Sequence, residues 1–369
     1  MRFQYLLAFF IPVAVALDLA GATDTLIFFA AAIALIPAAA LMGRATEEAA
    51  ARAGPGVGGL LNVTFGNAPE LIIALFALGK GLQEVTKASI VGSIVSNMLL
   101  VLGGAMFVGG LRAPRAEGRD YREQRFTLGM AHAQSAMLIF GVFALSLPMV
   151  FEIAEGRPLP KVGVKNFHFA ASTEHVALAI AIVLIAVYCA GLVFALGTHR
   201  QLFNPFHEEE RRTDEKGWTM ARAVAALAAS GVVVAVLSEI LVSSIEGAAA
   251  SAGLSDFFMG AIVVAIAGNA AEHWVAVAVA WKQQMDLAMN IAIGSAAQVA
   301  LFVAPVLMIC SFFIGPFPMP LVFNGYEVAA LIGGAWMTSY LVSEGRTNWF
   351  EGVKLLAAYV LVAIVFGFA

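Results

Sequence analysis

Charge is what this chain has least of. Lys, Arg, Asp and Glu make up 12% of its 369 residues, against about 25% in an average soluble domain. A water-facing surface cannot be built from so few charged groups, so a soluble globular fold is excluded. Cysteine is nearly absent as well. The two present, Cys189 and Cys310, both fall in apolar stretches, where a thiol acts as a small hydrophobe and says nothing about compartment. No Gly-Lys-Ser/Thr phosphate loop is found, so any pumping must be driven by a gradient rather than by ATP. No Ser/His pair or paired-His metal set recurs at helical spacing, which leaves an intramembrane hydrolase without support. Asn62-Val63-Thr64 fits the glycosylation pattern but lies inside an apolar segment that no transferase reaches.

What the chain has is oil: 61% of its residues are hydrophobic. The apolar runs are continuous rather than alternating, so they read as membrane-crossing helices and not as barrel strands. Eleven are expected, at about 5–20, 25–43, 57–79, 87–110, 127–150, 175–197, 219–242, 256–281, 287–313, 321–343 and 349–368. The first is short and follows Arg2, so a signal peptide ending near Ala20-Gly21-Ala22 competes with a retained helix, which is the preferred reading. With eleven crossings, most basic residues fall on one face: Arg44, Arg52, the arginines between 112 and 125, those between 200 and 212, Lys282 and Arg346. Lys80, Lys87, Arg157, Lys161 and Lys165 fall on the other. Basic loops stay cytoplasmic, so the N-terminus is expected inside and the C-terminus outside, with a bacterial inner membrane as the setting.

Two acids stand where oil is expected. Glu70 and Glu272 each lie near the middle of an apolar run and each end the same pentad, Gly66-Asn67-Ala68-Pro69-Glu70 and Gly268-Asn269-Ala270-Ala271-Glu272. A carboxylate at the centre of a bilayer costs roughly 2.5 to 3.5 kcal/mol on an insertion scale, so a duplicated one marks a cation or proton site. Sliding the chain so that Gly66 meets Gly268 also brings Lys80 onto Lys282, Gly92-Ser93 onto Gly294-Ser295, and Leu99 and Val101 onto Leu301 and Val303. Upstream, after a three-residue shift, Glu47 meets Glu246. The pentads sit on the third and eighth runs, so the copies cross in opposite directions, as in transporters with inverted repeats. The expected organisation is an all-α polytopic membrane protein of 1 + 5 + 5 helices: an extra helix in 1–22, a first repeat in 23–197, an acidic cytoplasmic linker in 198–218 and a second repeat in 219–369.

The chemistry of the pentad follows from its residues. Pro69 has no amide hydrogen and pushes on the carbonyl four residues back, so the carbonyl of Phe65 is expected to lose its helical partner. Gly66 relaxes the same turn. Freed carbonyls, the amides of Asn67 and Asn269 and the carboxylates of Glu70 and Glu272 are oxygen ligands of the kind hard cations take. Gly268 alone replaces the Gly and Pro pair in the second copy, so a milder break is expected there. Ser93, Ser96 and Asn97 on the fourth run, and Ser295 and Gln298 on the ninth, add oxygens at helical spacing; interhelical polar glue is the competing reading for each. His273, beside Glu272, is a proton-relay candidate, with a simple hydrogen-bonding role as the alternative. Two facing carboxylates are neutralised either by a divalent cation or by protons, and a site that holds one or the other is the minimum of an exchanger.

The motifs GNAPELIIALFAL at 66–78, preceded by Gly58-Gly59-Leu60-Leu61-Asn62, GSIVSNMLLVLGG at 92–104, VVAIAGNAAEH at 263–273 and GSAAQVALFVAPVL at 294–307 resemble those of the calcium/proton exchangers, the CAX family of the calcium/cation antiporter superfamily. That resemblance spans nearly the whole chain. It implies an eleven-helix fold with an extra first helix, Ca²⁺ export against proton entry, and ion binding at Glu70 and Glu272, with Asn67, Asn269 and His273 at motif positions. It also implies a regulatory acidic linker, but the run His207-Glu208-Glu209-Glu210 is brief and offset by Arg211 and Arg212, so a solvated loop is the preferred reading. Sodium-coupled relatives carry a G-T-S-x-P-E pattern where this chain has Asn67 and Ala68, which disfavours sodium. A passive cation channel is a further alternative. The expected partners are therefore Ca²⁺, protons and the lipid bilayer, with no nucleic acid, no cofactor and no catalysis. Glu47 and Glu246 are either entry acids or ordinary charges at helix ends, and Glu239 and Glu327 call for a polar environment within their runs.

Overall fold

The computed structural model describes residues 7–114, 122–164, 167–198 and 217–369. Its helices are α1 (Phe10–Leu19), α2 (Asp24–Ala53), α3 (Pro55–Gly66), α4 (Ala68–Gly79), α5 (Gln83–Arg112), α6 (Leu128–Ala154), α7 (Ala171–Thr198), α8 (Met220–Ala252), α9 (Asp256–Trp281), α10 (Met285–Cys310), α11 (Gly325–Leu341) and α12 (Trp349–Phe368). Eight of these are long and apolar enough to cross a bilayer, and α1 and α4 are shorter apolar helices. The expected third crossing is α3 and α4 in series, broken at Asn67. A two-residue β-ribbon, β1 (Gln124–Arg125) against β2 (Arg346–Thr347), is antiparallel and ties the α5–α6 turn to the α11–α12 turn. The acidic run of the linker lies outside the described residues.

Two helices overshoot the expected spans. α2 continues to Ala53 and α8 to Ala252, because helical propensity carries on through Ala-rich sequence after hydropathy has fallen at Arg44, Glu47 and Glu246. They run antiparallel along each other. At one end Gly247 receives Asp24, whose Oδ2 lies 1.7 Å from where a Cβ would sit. At the other, Glu48 accepts hydrogen bonds from the Trp218 amide at 2.9 Å and from Arg52 at 3.0 Å. This second end, where α8 begins, is the linker face. Trp218 lies there between two guanidinium groups, those of Arg44 and Arg222, at 5.0 and 4.8 Å from its ring centre.

The apolar packing falls into two clusters. One joins α1, α2 and α8 with parts of α4 and α9; the other is built on α5, α6, α7, α10, α11 and α12. Glycines set how closely the second body packs. A Cβ on Gly92 would fall 2.0 Å from the carbonyl oxygen of Ala261, so α5 and α9 touch backbone to backbone. Gly352 of α12 meets Gly103 of α5 in the same way, a Cβ there lying 2.6 Å from the Gly103 oxygen. Filling such a contact costs about 1 to 3 kcal/mol. Gly92→Ala is therefore expected to lower the melting temperature in detergent by several degrees, whereas Gly333→Ala, with no atom near its added methyl, leaves it unchanged or slightly raised. Equal melting of the two variants would refute the contact.

Candidate ion-binding site

The break at Asn67 aims the first pentad. α3 ends at Gly66, Asn67 adopts φ −98° and ψ 22°, and α4 restarts with Pro69 in its first turn, where a missing N–H costs nothing. Glu70 thus sits in the first turn of α4. The Phe65 carbonyl is not the bare oxygen expected: the Asn67 amide bonds to it, leaving one lone pair. In the second copy the expected break at Gly268 is absent, since α9 runs through it as continuous helix. The irregularity lies one turn earlier, in a π-helical stretch at Met259–Val264. Pro69 explains the difference, because a glycine alone weakens a helix without removing a hydrogen bond. Gly268 has a packing role instead. A methyl on it would lie 3.6 Å from Cγ and 3.9 Å from Oε1 of Glu70, ordinary contact distance, so Glu70 of the first pentad packs beside Gly268 of the second.

The polar side chains bond across the two repeats. Asn67 Nδ2 donates to Gln298 Oε1 at 2.7 Å, from the α3–α4 break to α10. Asn269 Nδ2, on α9, donates to Ser93 Oγ of α5 at 3.0 Å and to the Ala265 carbonyl at 2.9 Å. Asn97 Nδ2 donates to Asn269 Oδ1 at 3.4 Å. Ser295 Oγ donates to Glu272 Oε2 at 2.8 Å. The two acids are not equivalent: Glu70 is 9% exposed and its Oε2 has no protein partner, while Glu272 is half-buried and held by Ser295. Glu70 also feels the charge of Glu272.

Asn67 Oδ1, Glu70 Oε2 and Asn97 Oδ1 are buried without a hydrogen-bond donor. All are oxygens. Buried polar atoms are normally satisfied, so each such orphan acceptor is a place for a cation or a proton-bearing group. Beside Glu70 a narrow cavity of about 10 Å³, lined by Ile73, Ser89, Ser93, Gly268 and Val299 among others, has the room of one water or one bare ion. Among the described residues no three acidic, His or Cys side chains converge as a resident metal cluster.

Ser96 donates its hydroxyl hydrogen to the Ser93 carbonyl at 3.2 Å, a bond that leaves its oxygen lone pairs uncommitted. His273 Nε2 has no partner, and no hydrogen bond joins His273 to Glu272 among the described residues. Glu327 closes a capping box with Asn324 at the start of α11, near the Lys87 ammonium, and stands apart from the ion cavity. Glu47 is exposed near the linker face, whereas Glu246 lines a wide vestibule on the opposite face with Lys80, Glu84, Lys87 and Asp256. Glu239 is exposed on α8, one turn from Ser243, which accepts from Lys80 Nζ. Ser89 lines the cavity unforeseen, although its spacing of four from Ser93 is the signal that finds it. π-helical stretches occupy matching places in the two helices, Ser96–Val101 in α5, which takes in Ser96 and Asn97, and Val299–Val303 in α10, which follows Gln298, and no residue pattern announces them.

Comparison with known proteins gives a consistent picture. The family model described as sodium/calcium exchanger protein matches residues 23–197 and 222–368. The chain is 41% identical over 366 residues to the Ca(2+)/H(+) antiporter ChaA of Bacillus subtilis, covering 99% of this chain and 98% of that one. It is 42% identical to a Ca(2+)/H(+) antiporter of Synechocystis, covering 97% and 95%, and 35% identical to the vacuolar calcium ion transporter of Schizosaccharomyces pombe, covering 92% and 78%. Among solved structures, native YfkE superposes with a TM-score of 0.80 at 39% identity, covering 99% of this chain and all of that one. The H+/Ca2+ exchanger CAX, at 13% identity, shares the fold with a TM-score of 0.66.

Proposed function

The chain belongs to the sodium/calcium exchanger protein family, on its calcium/proton exchanger branch, and from that membership we infer that it is a secondary antiporter exporting Ca²⁺ in exchange for H⁺. It is a multi-pass membrane protein. The observation that carries the site is Glu70, with an orphan oxygen and packed beside Gly268 of the second pentad, together with the orphan oxygens of Asn67 and Asn97, whose amides bond to Gln298 and Asn269. Glu70 and Glu272 bind either one Ca²⁺ or protons; Asn67 and Gln298 supply neutral oxygens, and Asn269 fixes α9 against Ser93 and Asn97. An empty, doubly ionised pair is costly to carry through lipid, so each crossing takes place loaded.

The two apolar clusters support alternating access by movement of α2 and α8 against the remainder, since the site lies where α4 and α9 belong to both. The matching of the family model in two segments supports two repeats, at 23–197 and 219–369. The arginines at 44, 52, 112, 122 and 125 support a cytoplasmic linker face in a bacterial inner membrane, with the C-terminus outside. In proteoliposomes, ⁴⁵Ca²⁺ uptake and proton release recorded together are expected to rise with an imposed acid interior and to ignore a sodium gradient at matched pH. Calcium movement driven by sodium alone would assign the coupling ion wrongly, and unitary currents of millions of ions per second would make the protein a channel.

A further inference from the structure

Between the ion site and the linker face, the seam of α6 and α10 holds polar groups that the site does not use. On α6, Gln134 and Ser135 are 4% and 5% exposed. Gln134 Nε2 donates to Asn290 Oδ1 of α10, but Gln134 Oε1 and Ser135 Oγ have no partner in the protein. On α10, Gln298, Gly294, Asn290 and Asp286 follow at steps of four, so they stack along one side of the helix. Gln298 is bonded to Asn67 in the ion site. Gly294 adjoins Ser295, the donor to Glu272, and leaves a gap where a methyl would lie 3.5 Å from both Asn290 Oδ1 and Gln134 Nε2. Asp286 Oδ1 accepts from the Thr127 amide at 2.6 Å, where α6 begins at the linker face. At 1.5 Å per residue the stripe reaches about 18 Å, from mid-membrane to surface.

The first repeat has no such stripe. The corresponding residues of α5 are Ser96, Gly92, Ala88 and Glu84: Ala88 is apolar, and Gly92 is sealed against the Ala261 backbone. The asymmetry argues against a mere relic of duplication.

We propose that the α6–α10 seam, through Asn290, Gln134 and Ser135, carries protons between the ion-site acids and the linker face, apart from the opening that admits the hydrated cation. A proton moves by exchange along hydrogen bonds, whereas calcium needs room for an ion and part of its shell. The seam is tight for the latter: Gln134 and Asn290 meet side chain to side chain across it. Gln134 Oε1 and Ser135 Oγ, unpartnered in the protein, offer acceptors to water along this path, and the amides do not take the proton. Ser135 accepts one proton on Oγ as it passes its own onward. As Ca²⁺ binds, the proton leaving Glu272 passes to water along this path and emerges beside Asp286; on reloading from that face it runs in reverse. A separate exit lets protons leave without passing the incoming calcium.

This rests on Glu70 and Glu272 as the exchanging acids, and the test separates the two claims. In proteoliposomes of the full chain, Ca²⁺/H⁺ exchange is compared with Ca²⁺/Ca²⁺ exchange at equal pH, which moves no net proton. Gln134→Leu is expected to slow the former at least about tenfold and to leave the latter within about twofold. Ser135→Ala, a change too small to threaten folding, shifts the ratio in the same direction, and Ser135→Thr restores it by keeping the hydroxyl. Equal slowing of both modes makes the seam a packing element, and no slowing in either makes it irrelevant; each overturns the proposal. A wild-type protein without Ca²⁺/H⁺ exchange would instead sink the ion-site reading beneath it.

Discussion

Glu70→Gln and Glu272→Gln are each expected to lower calcium transport by at least about a hundredfold while leaving a folded protein. A unit charge about 4 Å from a divalent ion contributes roughly 8 kcal/mol at an effective dielectric constant of 20. Much of that is returned, because the neutral amide is easier to bury than the carboxylate. A net loss of about 3 kcal/mol already gives the hundredfold. The two variants are not alike in detail. A glutamine at 272 still accepts the Ser295 hydrogen bond, whereas one at 70 places an amide where Oε2 has no donor to meet. Both are expected to elute as the wild type does on size exclusion. Glu344→Gln, at an exposed turn beside Arg346, controls for loss of surface charge and is expected to transport normally. Flux above about a tenth of wild type in either pentad variant would remove that acid from the site.

How much of this was legible in the residues depends on whether the signal was chemical or geometric. Glu70, Glu272 and their asparagines stood out because acids and amides are costly in an apolar run, and the structure brings Asn67 against Gln298 and Asn269 against Ser93 and Asn97. The break after Gly66 was legible through Pro69. Gly268 was misread as a weak point: the helix runs through it, and its neighbour is Glu70 of the other pentad, a contact between distant residues that no local pattern encodes. Ser96, at the spacing of a ligand, also bonds back to its own preceding turn, which uses its hydrogen and not its lone pairs. The lengths of α2 and α8 were underestimated because hydropathy reports the hydrocarbon and not the helix. Glu327 needed a polar environment, as expected, and found it in an N-terminal cap and a lysine rather than in the ion cavity.

The apparent calcium affinity is expected to fall steeply with acidity, by up to about a hundredfold per pH unit once both acids are protonating. Calcium binds the deprotonated ligands, so each carboxylate that must shed a proton adds one to the slope of log affinity against pH. Above that range protons no longer compete and affinity is flat; below it the slope approaches two. Asn67→Ala removes a neutral oxygen and is expected to lower the whole curve without altering its steepness, since no proton is lost from an amide. Calorimetry in buffers of different ionisation enthalpy counts the protons released per calcium and checks the slope independently. A slope that never exceeds one would mean that a single acid exchanges its proton and the other stays in one charge state throughout. The count also fixes the response to voltage. One net charge moved against 100 mV is worth about 2.3 kcal/mol. Two protons against one Ca²⁺ cancel, so an exchanger built on this pair alone is expected to run at the same rate whether or not a potassium diffusion potential is imposed on the vesicles.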